Sequence, residues 1–255
     1  MEIDVSFLVL LLVFARVGTF FVAMPILSMR QIPTIPKLAI ILSLVFMIAQ
    51  WLPPIGCEMN TLFELGLLVV KEAGLGLILG WLTNLIFLAI PSAGDLIDFF
   101  AGLKMSANYD PISGTSGSIY SNLYNWLGAL LFLMMNGHHY LIRGIVNSCF
   151  FLPIGSTDGF QLELEAVVTV VTQSFLLGIQ LALPMCMILF LVDIVLGLIN
   201  RTVQQINVFI LGMPIKLIAS FVLMLILFGG LMQSMMWVLD LVIQILDQAM
   251  RFMMN

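Results

Sequence analysis

The sequence predicts an all-α integral membrane-type protein, and three observations carry that expectation. Of 255 residues, 62% are hydrophobic before the 20 glycines are added, whereas a soluble domain is roughly 45–50% apolar with glycine included. The chain has only 9 Lys+Arg and 14 Asp+Glu, too few to clothe a core of this size in water. Its apolar residues also gather into helix-length stretches separated by Pro-, Ser- and charge-rich joints. The same arithmetic excludes intrinsic disorder, which needs low hydrophobicity and high net charge. Nucleic-acid binding is excluded as well, because nine scattered basic residues form no patch able to displace counterions. What remains is a membrane protein, or a subunit whose apolar surface is covered by partners.

Six apolar segments are expected, in order at about 5–27, 38–53, 65–91, 126–152, 166–199 and 217–239. The first follows an acidic start, Met1-Glu2-Ile3-Asp4. That start lacks the basic region of a secretory signal, so the segment is expected to stay in the mature protein. It carries Arg16. The second follows a joint with Arg30, Pro33, Pro36 and Lys37, and the third carries Lys71, Glu72 and a Gly74, Gly76, Gly80 run. The fourth is interrupted by Asn136-Gly137-His138-His139 and carries Arg143. The fifth holds Asp193 and has Pro184 near its middle, where a kink or break is expected. The last follows a joint from Arg201 to Lys216. Basic residues favour alternate joints, which places both termini outside.

A plain six-span bundle fits these lengths poorly. A bilayer core needs about 20 helical residues, and 166–199 would run ~50 Å at 1.5 Å per residue. A charge at mid-depth costs about 2.5–3.5 kcal/mol on insertion scales. Yet Arg16, Lys71, Glu72, Arg143 and Asp193 all lie inside apolar stretches. Either these groups line an aqueous path, or the helices leave the lipid once the protein is assembled.

Candidate sites are few. Three well-separated cysteines, Cys57, Cys149 and Cys186, show neither CxxC nor Cys/His spacing, so no disulfide framework or zinc site is indicated. No nucleophile elbow, phosphate loop or cofactor motif is present. Residues 106–122 read SANYDPISGTSGSIYSN, in which twelve of seventeen are Ser, Thr, Asn, Asp, Gly or Pro and only Asp110 is charged. Such a small, neutral segment suits a gate that moves without dragging charge through a pore; an ordinary connecting loop is the alternative. Lys71-Glu72 beside a GxxxG spacing reads as an ion pair in a close helix contact. Adjacent His138 and His139 should face apart on a helix and serve in structural hydrogen bonds. Asp95 and Asp98 share a helix face and read as a helix start after Pro91. A hairpin at the 201–216 joint would bring Asp193 and Lys216 together as a salt bridge. The 18 methionines suit adaptable apolar contacts.

Five strings, in order, resemble the FliR family, the flagellar export-gate subunit with its virulence type III secretion counterpart SctT. They are FARVGTFFVAMPIL (14–27), AGDLIDFFAGLKMSANYDP (93–111), MNGHHYLIRGIVNSCFFLPIG (135–155), LALPMCMILFLVDIVLGL (181–198) and NRTVQQINVFILGMPIKL (200–217). The last carries Arg201, Gln205, Asn207, Phe209, Gly212 and Pro214 of the family pattern, with Gln204 where Pro is usual.

The resemblance implies one non-enzymatic subunit over 1–255, its helices forming tilted, kinked hairpins in a helical export gate. The implied partners are FliP-like and FliQ-like subunits, an FlhB-like switch protein, unfolded export substrates and the lipid membrane. It implies a place in the bacterial inner membrane at the flagellar basal body, with the gate displaced toward the periplasm. Export would draw on the proton-motive force and a separate ATPase complex. By position, Ser106, Asn108, Tyr109, Asp110, Pro111, Ser113, Gly114, Thr115, Ser116, Gly117, Ser118 and Tyr120 correspond to the family's pore plug loop. A virulence injectisome subunit with the same role is the near alternative. A secondary transporter of a small solute is the alternative from another class.

Overall fold

The computed structural model describes residues 5–24, 33–52, 62–104, 118–155, 164–202 and 208–252. Among these residues every regular element is a helix: α1 Val5–Ala23, α2 Thr34–Trp51, α3 Leu62–Phe87, α4 Ala89–Phe100, α5 Ile119–Met134, α6 Gly137–Phe151, α7 Leu164–Thr202 and α8 Val208–Phe252. Four stretches are long and apolar enough to cross a membrane: Thr34–Trp51, Phe63–Phe100, Val167–Thr202 and Gly212–Leu241. The protein is an all-α membrane protein.

Several boundaries differ from the sequence expectation, for local reasons. The 126–152 segment is two helices, because Asn136 takes a left-handed φ of 57° and breaks the α5–α6 path. The gap between the expected segments 65–91 and 126–152 contains all of α4 after Pro91 and the first two turns of α5. Pro91 sits in the first turn of α4, where a helix needs no internal N–H donor. Helix α7 runs unbroken through Pro184, and α8 takes in Pro214. A single missing N–H does not end a helix when Leu, Ile and Met continue on both sides. Asp95 and Asp98 therefore lie toward the end of α4, not at a helix start.

The chain forms two compact units. One comprises residues 1–87, 136–171 and 242–255, the other 88–135 and 172–241. In the first, α1 packs against α3, α2 and α6. Its core is built on Leu12, Val13, Val17, Phe20, Leu75, Leu82, Ile86 and Ile145. Helix α2 buries only Ile41, Val45 and Ile48, one stripe at helical spacing. In the second, α4 packs against α5. There Ala93, Ile97, Tyr120, Tyr124 and Phe132 are buried, as are Leu181, Met185, Leu189, Met235 and Leu239. Much of the remaining surface is apolar: Phe46 and Trp51 on α2, Phe175, Phe190 and Leu198 on α7, and Phe221, Leu225 and Ile226 on α8 are exposed. Apolar surface on this scale requires lipid or other protein subunits to cover it.

Candidate functional site

In the first unit the strongest polar feature is a buried ion pair between α1 and α3. Arg16 and Glu72 are each 1% exposed, and Arg16 Nε donates to Glu72 Oε2 at 2.6 Å. The other guanidinium face donates from Nη1 to the Ser148 carbonyl at 2.7 Å and the Leu152 carbonyl at 2.9 Å. These carbonyls belong to the C-terminal end of α6, which carries no basic residue in its own last turn. Arg16 thus supplies the cation that the end of a helix favours. Glu72 Oε1 accepts from the Gly155 N–H at 3.1 Å, and Gly155 turns the chain with φ of 77°.

Glu72 forms its ion pair with Arg16 and not, as the sequence had suggested, with its neighbour Lys71. Consecutive residues on a helix project about 100° apart, so Glu72 enters the core while Lys71 stays half-buried on α3. The close helix contact lies beside the pair. A Cβ on Gly76 would overlap the Arg16 carbonyl, and one on Gly80 would sit 2.6 Å from the Phe20 carbonyl and 2.7 Å from Ala23 Cβ. Gly74, by contrast, borders open space.

At the start of α6 the histidine rings lie with centroids 4.3 Å apart, inclined at 40°. They do not face apart, and among the described residues the buried Nδ1 of His138 meets no hydrogen-bond partner. Arg143 and Arg201 are exposed.

In the second unit a polar cluster joins α4, α5 and α8. Asp98 is fully buried. Its Oδ1 accepts from the Tyr120 N–H and its Oδ2 from the Ser121 N–H, each at 3.0 Å. These belong to the first turn of α5, whose leading N–H groups have no partner within their own helix. Ser118 holds the cap position but makes no side-chain cap hydrogen bond. Ser121 Oγ donates to the Pro91 carbonyl at 2.9 Å. Gly94 lets the chains meet, since a Cβ there would lie 2.5 Å from Ser121 N and Cα. The Tyr120 hydroxyl donates to Ser220 Oγ at 2.9 Å, and Ser220 donates to the Leu217 carbonyl at 2.8 Å.

The candidate gate segment is bounded by these contacts. Lys104 leaves α4 with its Nζ 3.1 Å from Asp95 Oδ1, and Gly102 turns the chain before it with φ of 80°. Ser118, the cap position of α5, stands two residues before the Tyr120 N–H that Asp98 holds. Ser106, Asn108, Tyr109, Asp110, Pro111, Ser113, Gly114, Thr115, Ser116 and Gly117 lie outside the described residues. The segment ends earlier than its composition suggests. Ile119 to Asn122 are helical, and Tyr120 is a buried residue at the base of α5.

Between α7 and α8, Lys216 Nζ pairs with Asp193 Oδ1, both partly exposed. A Cβ on Gly212 would meet Leu196 at 3.5 Å, an ordinary contact in an antiparallel register. Gln205 and Asn207 lie outside the described residues; Phe209 is in the first turn of α8, and Gly212 and Pro214 follow within it. Reversing either charge sets like charges together, a larger effect than the ~0.2–1 kcal/mol of an exposed pair. Each single reversal, Asp193→Lys or Lys216→Asp, is expected to lower the yield of assembled complex several-fold. The double reversal is expected to restore part of it. Co-purification measures this, and a double variant no better than either single one would remove the pairing.

The model of bacterial export proteins, family 1, matches residues 7–251. The flagellar biosynthetic protein FliR of Bacillus subtilis is 31% identical over 221 residues, covering 85% of this chain and 84% of that protein. The protein of the same name from Escherichia coli K12 is 33% identical over 200 residues, 78% of this chain and 76% of its own. The secretion system apparatus protein SsaT of Salmonella typhimurium is 28% identical over 162 residues, 63% and 62% of the two chains.

Proposed function

Because the chain belongs to the FliR family of bacterial export proteins, we propose that it forms part of the protein-conducting pore of the flagellar export gate and closes it with the part of the 106–122 segment that precedes α5, residues 106–118. As a member of that family it is a membrane-embedded component of a flagellar export apparatus. The flagellar relatives cover more of the chain than the injectisome relative does, which supports the flagellar system. The role is structural: it conducts and gates, while chemistry and energy come from other components. The exposed apolar faces of α2, α7 and α8 suit packing against neighbouring FliP-like and FliQ-like subunits and an FlhB-like switch protein. In such an assembly, over-long helices need not lie wholly in lipid, in keeping with a gate displaced toward the periplasm.

The observation that carries the plug reading is the way α4 and α5 hold the segment's two ends. Lys104 is tied to Asp95, and Tyr120 and Ser121 are tied to Asp98, one turn further along the same helix. A glycine-containing stretch whose one charge is Asp110, flanked by two held feet, suits a plug that works without unpicking the helices behind it. Deleting 110–117, which spares the α5 cap position, is expected to leave the complex assembled and make the cytoplasmic membrane leaky to small ions. Ion-flux measurements on cells carrying the assembled deletion variant test this. A membrane as tight as wild type would end the plug assignment.

A further inference from the structure

We propose that the groove between α1 and the start of α2 holds a single anionic phospholipid, its acyl chain between the helices and its phosphate on Lys37. The groove has a volume of about 350 Å³. Phe21 and Val22 line it from α1, and Leu38, Ile40 and Ile41 line it from α2. These side chains are all hydrocarbon, so along them the groove suits an apolar ligand. Its polar residues are Thr34 and Lys37, both in the first turn of α2 and on one face at the i, i+3 spacing. Among the described residues that line it, none is acidic. The groove therefore pairs an apolar trough with a single positive charge, the complement of a lipid that carries a negative headgroup.

The length of α2 sets the depth of that charge. The helix has 18 residues and spans ~27 Å at 1.5 Å per residue, close to the ~30 Å hydrocarbon core of a bilayer. A crossing helix of this length has its ends at the two interfaces, so Thr34 and Lys37 lie at headgroup depth. Leu38, Ile40 and Ile41 follow inward, at the depth of the acyl chains. An ammonium at the interface attracts lipid phosphate. It carries several N–H donors, so Lys37 can take a phosphate oxygen while keeping its contact within the chain. The Thr34 hydroxyl supplies a further donor. An acyl chain, a single file of methylenes, fits a groove of this volume, whereas a partner helix about 10–12 Å across cannot enter it. A zwitterionic headgroup brings its own cation to the phosphate and competes with Lys37, so phosphatidylglycerol is favoured over phosphatidylethanolamine. Phe46 and Trp51, further along α2, remain available to other subunits.

Native mass spectrometry of the assembled complex, stripped of lipid and then titrated with phosphatidylglycerol, tests the site. The wild-type complex should retain one phosphatidylglycerol more than the Ile40→Trp complex, whose groove is filled by the indole. Lys37→Met keeps the apolar stem and removes the charge. It should raise the concentration for half-occupancy of that lipid about fivefold, the effect of one basic group at an anionic membrane surface. The same substitution should leave retention of phosphatidylethanolamine nearly unchanged. Equal retention of phosphatidylglycerol by wild type, Lys37→Met and Ile40→Trp overturns the site, because the lipid is then merely annular. Should Ile40→Trp not assemble, phosphatidylglycerol with a diazirine on its acyl chain decides in the wild-type complex. Label on residues 21–22 or 38–41 supports the groove. Label confined to other segments or other subunits overturns it, as when a partner protein covers the groove instead.

Discussion

Arg16→Met is expected to destabilise the protein by about 3–5 kcal/mol, the range found when one partner of a buried ion pair is removed. The variant should fail to accumulate in an assembled complex. Arg16 and Glu72 are both almost wholly inaccessible, so the remaining carboxylate would keep its desolvation penalty and lose its counter-charge. Glu72→Leu should cost about as much, for the mirror-image reason. The informative variant is the double one. Replacing a buried pair with apolar residues is often neutral, but this pair also satisfies the Ser148 and Leu152 carbonyls and the Gly155 N–H. The Arg16→Met/Glu72→Leu protein would orphan those backbone groups, each at roughly 1–3 kcal/mol. It is therefore expected to remain destabilised. Thermal unfolding of the detergent-extracted subunit measures this, and a double variant as stable as wild type would show that the backbone contacts contribute nothing.

The second large effect comes from Gly80. A valine there would push its Cβ into the Phe20 carbonyl and Ala23 Cβ, at 2.6 and 2.7 Å. Neither is the mobile end of a long side chain, so the α1 and α3 backbones must separate. Overpacking a well-packed contact costs about 1–3 kcal/mol. Here the separation also stretches the Arg16–Glu72 bond, which lies across the same contact. Gly80→Val and Arg16→Met should accordingly be non-additive, because the first already disturbs what the second removes. Gly74→Val on the same helix should be tolerated, since a Cβ there meets nothing within 4 Å. Equal damage from the Gly74 and Gly80 variants in the same unfolding assay would contradict the close-contact account.

What was legible in the sequence was whatever depends on periodicity and near neighbours. Apolar runs located α1, α2, α3, α7 and α8, and hairpin topology alone brought Asp193 to Lys216. What was not legible depends on partners far apart in the chain. Arg16 and Glu72 are 56 positions apart, and nothing local distinguishes Glu72 from its neighbour Lys71 as the buried partner. The first turn of α5 reads as loop because Ser118, Ser121 and Asn122 favour turns in isolation; only the distant Asp98 carboxylate makes a helix start there. No break occurs at Pro184, where a helix rich in Leu, Ile and Met continues on both sides. Buried Arg16, Asp98 and Ser148 all fall inside the strings that resemble the FliR family, as do Asp193 and Lys216. Those strings thus contain part of the buried polar framework, without Glu72 or Ser220, together with a partly exposed ion pair.

The central claim is that the exposed apolar faces of α2, α7 and α8 exist chiefly to be covered by other export-gate subunits. Native mass spectrometry of the detergent-extracted protein, co-expressed with its genomic neighbours, tests it most directly. The account predicts a large hetero-oligomer containing a single copy of this chain. A monomer or a homo-oligomer free of other subunits would contradict it and favour a small-solute transporter instead.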